Sequence, residues 1–326
     1  MNQEELFLSS IKSKETRDHY ALLLQKFMDF KGDLYPNGRN DKEIENKIIE
    51  FVVHLRNQGK SHGAISNYLS PVKLFYSVND VVLNVKKIDR FMPAQKKKRK
   101  DRPYTREEIS KFLSIADERM KVVILLMASS GIRIGAIPTL RMKHLQDKTL
   151  TVYENTNDEY FTFITPECAK AVDNYLDMRA RYGEKLNDES FLIREQFDVR
   201  CPGKPRPIKR HTIQYKLYDL AARAGVDKKD VAVCHGYRKF FTTQMVDADA
   251  KTELRWLLEG HSLKANDNSY VKPSEQKLYQ EYEKALDNLT IDPNQRLQKK
   301  VEISLPTFDF ILIACHVYTF DTFYTL

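Results

Sequence analysis

The chain has 326 residues, more than a single hydrophobic core usually serves, so two domains are expected. Its 42% hydrophobic content supports packed cores and excludes a chain disordered throughout. With 53 Lys and Arg against 45 Asp and Glu, the net charge of +8 favours a polyanionic partner while saying nothing about fold.

The chain opens Met1-Asn-Gln-Glu-Glu, acidic and polar, so no signal peptide is expected and the reading is of an intracellular protein. Residues 1–92 read as helices. Tyr20–Phe30 places apolar residues at helical spacing up to Gly32, and Ile44–Leu55 repeats the pattern through Ile48, Ile49, Val52 and Val53. A third helix opens near Ser61, with Leu69, Val72, Phe75 and Tyr76 as its buried stripe. Pro71 inside it predicts a kink or a break near Ser70. Lys60, His62 and Asn67 cluster at the start of this helix, either as contacts to phosphates or a groove or as an ordinary solvated end. Residues 93–103 form a linker around Lys96, Lys97, Lys98, Arg99 and Lys100, whose like charges repel and bury nothing. Such a run is usually just solvated, yet between two domains it is well placed to cross a phosphate backbone.

The second domain, residues 104–287, starts with Thr105-Arg-Glu-Glu108, a capping box. Val122–Ala128 is a nearly continuous apolar helix that delivers Arg133, and Ile137, Leu140 and Leu145 are expected to continue as a helix behind it. Leu150–Glu154 and Tyr160–Thr165 alternate as strands around Asn155–Asp158, a hairpin signal. Thr165-Pro166 then starts a helix that runs to about Tyr182. The basic, proline-stiffened stretch Lys204–His211, carrying Arg206, Lys209 and Arg210, is a further candidate for DNA contact and leads into a helix from Thr212 to Ala224. The four cysteines, Cys168, Cys201, Cys234 and Cys315, are scattered without a C-x-x-C, so neither a zinc ribbon nor a disulfide framework is expected. Cys234 reads as a small apolar residue and not as a nucleophile.

The chemistry lies in a fixed order of groups: Arg133 between two glycines, His235-Gly-Tyr-Arg238, His261, and Tyr270 nine residues later. Two guanidinium forks bind non-bridging phosphoryl oxygens and neutralise transition-state charge. Two imidazoles exchange protons or donate hydrogen bonds near neutral pH. A phenol oxygen forms a covalent phosphate ester. Together these groups suit cutting and rejoining of DNA without a metal; no cluster of Asp, Glu and His stands at ligand spacing.

Ser130-Gly-Ile-Arg133, His235-Gly-Tyr-Arg-Lys-Phe240 and Leu258-Glu-Gly-His261 running to Tyr270 resemble the boxes of the tyrosine recombinase (integrase) family, over roughly residues 5 to 285. The stretch Tyr160–Cys168 gives the resemblance an archaeal flavour. The resemblance implies a mainly α fold with a small antiparallel sheet: a helical, SAM-like core-binding domain followed by an α+β catalytic domain. It implies Tyr270 as nucleophile, Arg133 and Arg238 on the phosphate, His235 as base or orienting group and His261 as donor. It also implies double-stranded DNA as partner and a homotetramer on DNA with exchange of C-terminal segments. No cofactor, ATP or membrane is expected, and the location is cytoplasmic, on the nucleoid.

The family usually carries a lysine in the hairpin turn as acid to the leaving 5′ oxygen, whereas no lysine occurs here between Lys148 and Lys170. Lys148 is the nearest substitute, or else an exposed turn lysine. Lys239 stands where the family often has histidine. The tail, residues 288–326, turns aromatic from Pro306; it either docks on a neighbouring protomer or is an altered end of the reading frame. A type IB topoisomerase-like relaxase, or a DNA-binding protein on a decayed integrase scaffold, are the competing readings.

Overall fold

The computed structural model describes residues 2–32, 41–95, 101–196, 200, 204–227, 229–263 and 273–296. Lys96–Lys100, Tyr270 and the aromatic tail lie outside the described residues. The chain divides into two compact units, Met1–Arg99 and Lys100–Leu326.

The first unit is helical: α1 (Gln3–Ser9), α2 (Lys14–Lys31), α3 (Asp41–Asn57), α4 (His62–Val78) and α5 (Val85–Asp89). Short polar side chains start four of them: Asn2, Ser13, Ser61 and Asn84 each accept a hydrogen bond from a backbone N–H in the first turn, where four donors lack helical partners. The apolar stripes meet in one core that includes Phe27, Ile48, Val52, Leu69, Val72 and Phe75. Of the kink or break expected near Ser70, a break does not occur: α4 continues through Pro71. The carbonyl that proline leaves without an N–H belongs to Asn67, an exposed position where solvent can serve it. Lys60 is exposed, and His62 and Asn67 follow the Ser61 cap on α4.

In the second unit the capping box forms as expected: Thr105 Oγ1 accepts from the Glu108 N–H, and Glu108 accepts in return from the Thr105 N–H, opening α6 (Arg106–Ile115). The apolar run becomes α7 (Glu118–Ser130), buried almost throughout and packed against α8 (Pro166–Arg181) and α10 (His235–Asp247). Past it the chain does not form the α-helix expected through Ile137, Leu140 and Leu145. It makes two 3₁₀ turns, Ile137–Thr139 and Met142–His144, and then strand β1 (Leu145–Gln146). Pro138 supplies no N–H, and the backbone bonds go sideways: Leu192 N–H donates to Leu140 O (2.9 Å) and Met142 N–H to Ser190 O (2.9 Å).

The hairpin signal is realised as β2 (Thr149–Val152) and β3 (Tyr160–Phe163), antiparallel with Val152 opposite Tyr160, and β1 adds a third strand beside β2. The remaining helices are α9 (Arg210–Arg223), α11 (Thr252–Leu258), α12 (Glu275–Glu283) and α13 (Leu286–Leu289). The core continues past residue 287: Leu289 and Ile291 are buried, and the Glu167 carboxylate accepts from the N–H groups of Ile291 (2.7 Å) and Asp292 (3.0 Å). No helix among the described residues is long and apolar enough to cross a membrane.

Candidate active site

The site is built on the C-terminal end of α7. The last carbonyls of a helix have no helical partner, and here three elements supply donors. Tyr282 of α12 donates to Ser129 O (3.0 Å), Thr162 of β3 to Ser130 O (3.1 Å), and Arg238 of α10 to Gly131 O (2.6 Å). Gly131 closes the helix in the left-handed region, φ +63°, and a Cβ there would lie 2.5 Å from the Phe241 ring. Only glycine meets both demands. Two residues later comes Arg133, half-buried, whose guanidinium reaches Gly260 O at 3.4 Å.

His235 and Arg238 sit three residues apart on α10, a spacing that places them on one face. Gly236 between them lets α10 approach Tyr104 and Val231, whose atoms a Cβ would meet at 2.6–2.7 Å. Arg238 is largely buried and forks between Gly131 O and Glu259 O. Burial, and then the charge of Arg133, work against its cationic form; the Glu259 carboxylate opposes them. Glu259 is itself buried, accepting from Thr242 Oγ1 (2.8 Å) and Arg255 Nη1 (3.0 Å).

His261 follows in the turn after α11. Its Nε2 lies 3.0 Å from Arg238 Nη2 and 3.3 Å from Glu259 Oε2. Arginine only donates, so that contact asks for a neutral ring with its proton on Nδ1, whereas Glu259 asks for a proton on Nε2. Burial, followed by the Arg238 cation, holds the imidazole below its ordinary pKa. The turn is fixed by Gly260, at φ +65°, where a Cβ would run into the Tyr160 ring. Burial pushes the Tyr160 phenol up to about 12, against the pull of Arg238 and Arg133.

A pocket of about 260 Å³ is lined by Arg133, Gly135, Tyr153, Arg210, Cys234, His235 and Arg238, among others. Arg133, Arg238 and His235 thus share one concavity, and His261 contacts Arg238. Three features of this site are faint in the sequence. Arg210 reads there as a general DNA contact, yet as the first residue of α9 it lines the pocket itself. Glu259 falls within a motif without a role of its own; its one signal is a carboxylate beside a glycine and a histidine. Tyr153 reads as an ordinary strand residue, but it has φ +58°, a conformation costing a bulky residue about 1–3 kcal/mol.

Lys148 is not brought to this pocket. It occupies the β1–β2 turn, at the other end of β2 from Tyr153, a separation of roughly 16 Å at ~3.3 Å per residue. Arg206 and Lys209 are exposed and flank Glu195 at 3.6 and 3.8 Å. Lys239 pairs with Asp101. Of the tyrosines near Tyr270 in sequence, Tyr282 is fully buried with its hydroxyl donated to Ser129 O, so it is not available to DNA.

Two guanidinium forks and the His235 imidazole line one small, open concavity, with His261 in contact with Arg238, a set of groups whose chemistry suits an anionic phosphodiester. Residues 103–277 match the phage integrase family, and the chain belongs to that family, the tyrosine recombinases that cut and rejoin DNA strands. The chain is 25% identical to the tyrosine recombinase XerC of Leptospira interrogans over 233 residues, covering 68% of this chain and 71% of that protein. Its fold is similar to the Tn1549 transposon integrase in complex with transposon right-end DNA (TM-score 0.60, 16% identity, 87% of this chain and 99% of the other). It is similar too to a lambda integrase tetramer bound to a Holliday junction (TM-score 0.57, 15% identity, 92% and 78%).

Proposed function

We propose that this chain is a site-specific integrase of a mobile element, acting on double-stranded DNA through a 3′-phosphotyrosyl intermediate on Tyr270. The observation that carries the reading is the convergence of Arg133, His235 and Arg238 on one pocket, with His261 bonded to Arg238. Arg133 and Arg238 grip the non-bridging oxygens, bidentate where a point charge would not be. His235, exposed at the start of α10, takes the proton from the attacking phenol. His261 gives a hydrogen bond to the same phosphate; a bound anion favours its protonated form, which donates from both nitrogens.

The bond energy is kept in the phosphotyrosine, so no ATP is needed. Lys60, His62 and Asn67 of the helical unit, the linker Lys96–Lys100, and Arg206, Lys209 and Arg210 contact the DNA backbone. Assembly is a tetramer on DNA with C-terminal exchange between protomers, in line with the lambda integrase tetramer whose fold this chain shares. Association with the nucleoid follows from the substrate. An archaeal origin rests on the Tyr160–Cys168 pattern alone, while XerC of Leptospira is bacterial.

The hairpin turn without lysine favours one second reading, a scaffold that binds DNA but no longer cuts it. A library of nicked duplexes with a randomised core separates the two. An adduct that survives denaturing electrophoresis supports the integrase; tight binding without any adduct supports the decayed scaffold. Supercoil relaxation by isolated protomers without strand exchange would instead indicate a relaxase.

A further inference from the structure

We propose that the Tyr153 phenol protonates the leaving 5′ oxygen during strand cleavage, in the place that a hairpin lysine holds in similar enzymes. The proposal rests on the strand-transfer reading above. Tyr153 is the residue at which β2 ends and the turn to β3 begins, and its positive φ departs from the strand there. It lines the same pocket as Arg133, His235 and Arg238. Its hydroxyl borders the Arg133 turn: a Cβ on Gly135 would sit 3.8 Å from it, ordinary van der Waals contact. The ring is backed by Tyr160, 6.5 Å between centroids, which is itself wedged against Gly260.

The other proton carriers near the hairpin are less suited. Lys148 stands at the far end of β2, and Lys143 is held between Glu154 and Glu189 at 3.1 Å each. Arg210 reaches the pocket, but a guanidinium does not give up its proton. A phenol is an acid of nearly lysine's strength (~10 against ~10.4), protonated at neutral pH and far more acidic than an alcohol. Burial raises the Tyr153 pKa, as does the Asp158 carboxylate, and the charges of Arg133, Arg238 and Arg210 act the other way, favouring the phenolate left after transfer.

The step balances. The Tyr270 oxygen forms a bond to phosphorus as its proton passes to His235. The bond from phosphorus to the 5′ oxygen breaks and its electron pair stays on that oxygen. The Tyr153 proton completes the 5′ hydroxyl. In rejoining, the Tyr153 phenolate takes that proton back as the hydroxyl attacks the phosphotyrosine.

The test compares single-turnover adduct formation by the wild type, Tyr153→Phe, Lys148→Ala and Arg133→Ala. Each is assayed on an adduct-forming duplex and on the same duplex with sulfur at the 5′ bridging position, where the leaving thiolate needs no proton. Tyr153→Phe is expected to be slower by ~100-fold or more on the oxygen substrate, and within a few-fold of the wild type on the sulfur substrate. Arg133→Ala should stay slow on both. A rate for Tyr153→Phe near wild type on oxygen, an equal defect on both substrates, or sulfur rescue confined to Lys148→Ala would each overturn the assignment while leaving strand transfer intact. Failure of the wild type to form an adduct with any member of the randomised nicked library would overturn the strand-transfer reading and this assignment with it.

Discussion

Arg133 and Arg238 are expected to matter equally for catalysis and unequally for folding. Both line one pocket and are proposed to fork the same phosphate, so alanine at either position should slow adduct formation by at least ~100-fold, about 2.7 kcal/mol of transition-state stabilisation. Their structural attachments differ. Arg238 is anchored to Gly131 O at 2.6 Å and to Glu259 O, and it faces the buried Glu259 carboxylate at 3.9 Å. Hydrogen bonds from a charged donor contribute about 1.5–3 kcal/mol each, and a buried acceptor left alone adds to the cost. Arg238→Ala should therefore destabilise the second unit by about 3 kcal/mol or more, roughly 6–12 °C in Tm for a domain of this size.

Arg133 makes one long hydrogen bond, 3.4 Å to Gly260 O. Its removal should cost under ~1 kcal/mol, a shift of at most about 4 °C. Calorimetry beside single-turnover adduct formation reads both quantities. Equal Tm decreases would refute the anchoring argument. A rate within a few-fold of the wild type for either variant would remove that arginine from the site.

Three further outcomes follow from the geometry. The His261 pKa is depressed on folding, so between the folded and unfolded values the unfolded chain binds more protons. Stability from this group is present above about pH 6.5 and is lost as pH falls through the folded pKa; His261→Gln should flatten the pH dependence of Tm in that window, and an unchanged slope would contradict it. Gly131→Ala forces a Cβ to 2.5 Å from Phe241 at φ +63° and should lower Tm by ~5 °C or more, with loss of adduct formation; wild-type melting would refute the turn's role. Neutralising Lys96, Lys97, Lys98, Arg99 and Lys100 should weaken binding to all duplexes and reduce the slope of log K against log salt by ~0.9 for each phosphate no longer neutralised. An unchanged slope would mean that the run is only solvated.

Much of the fold is legible in the sequence, for identifiable reasons. Apolar period and caps mark α7, α8 and α9, since Gly131, Thr165-Pro166 and Gly225 act through local backbone preference. The segment after Arg133 misleads because its apolar spacing is helical while its backbone bonds go to residues 188–192, some 50 positions away in sequence. Arg133, His235, Arg238 and His261 are visible as motifs. The places of Glu259, Arg210 and Tyr153 in the site are not, because their significance comes from chain segments that meet only in the fold. A positive φ at Tyr153 has no sequence signal at all: a β-prone aromatic gives no hint of a left-handed turn.

The central claim is covalent attack by Tyr270, and peptide mapping of the trapped protein–DNA adduct by mass spectrometry tests it most directly. After nuclease trimming, the nucleotide-bearing peptide should contain Tyr270 as its modified residue, and Tyr270→Phe should bind DNA while yielding no adduct. A nucleotide on Tyr279 or any other residue, or an adduct that persists in Tyr270→Phe, would contradict the account.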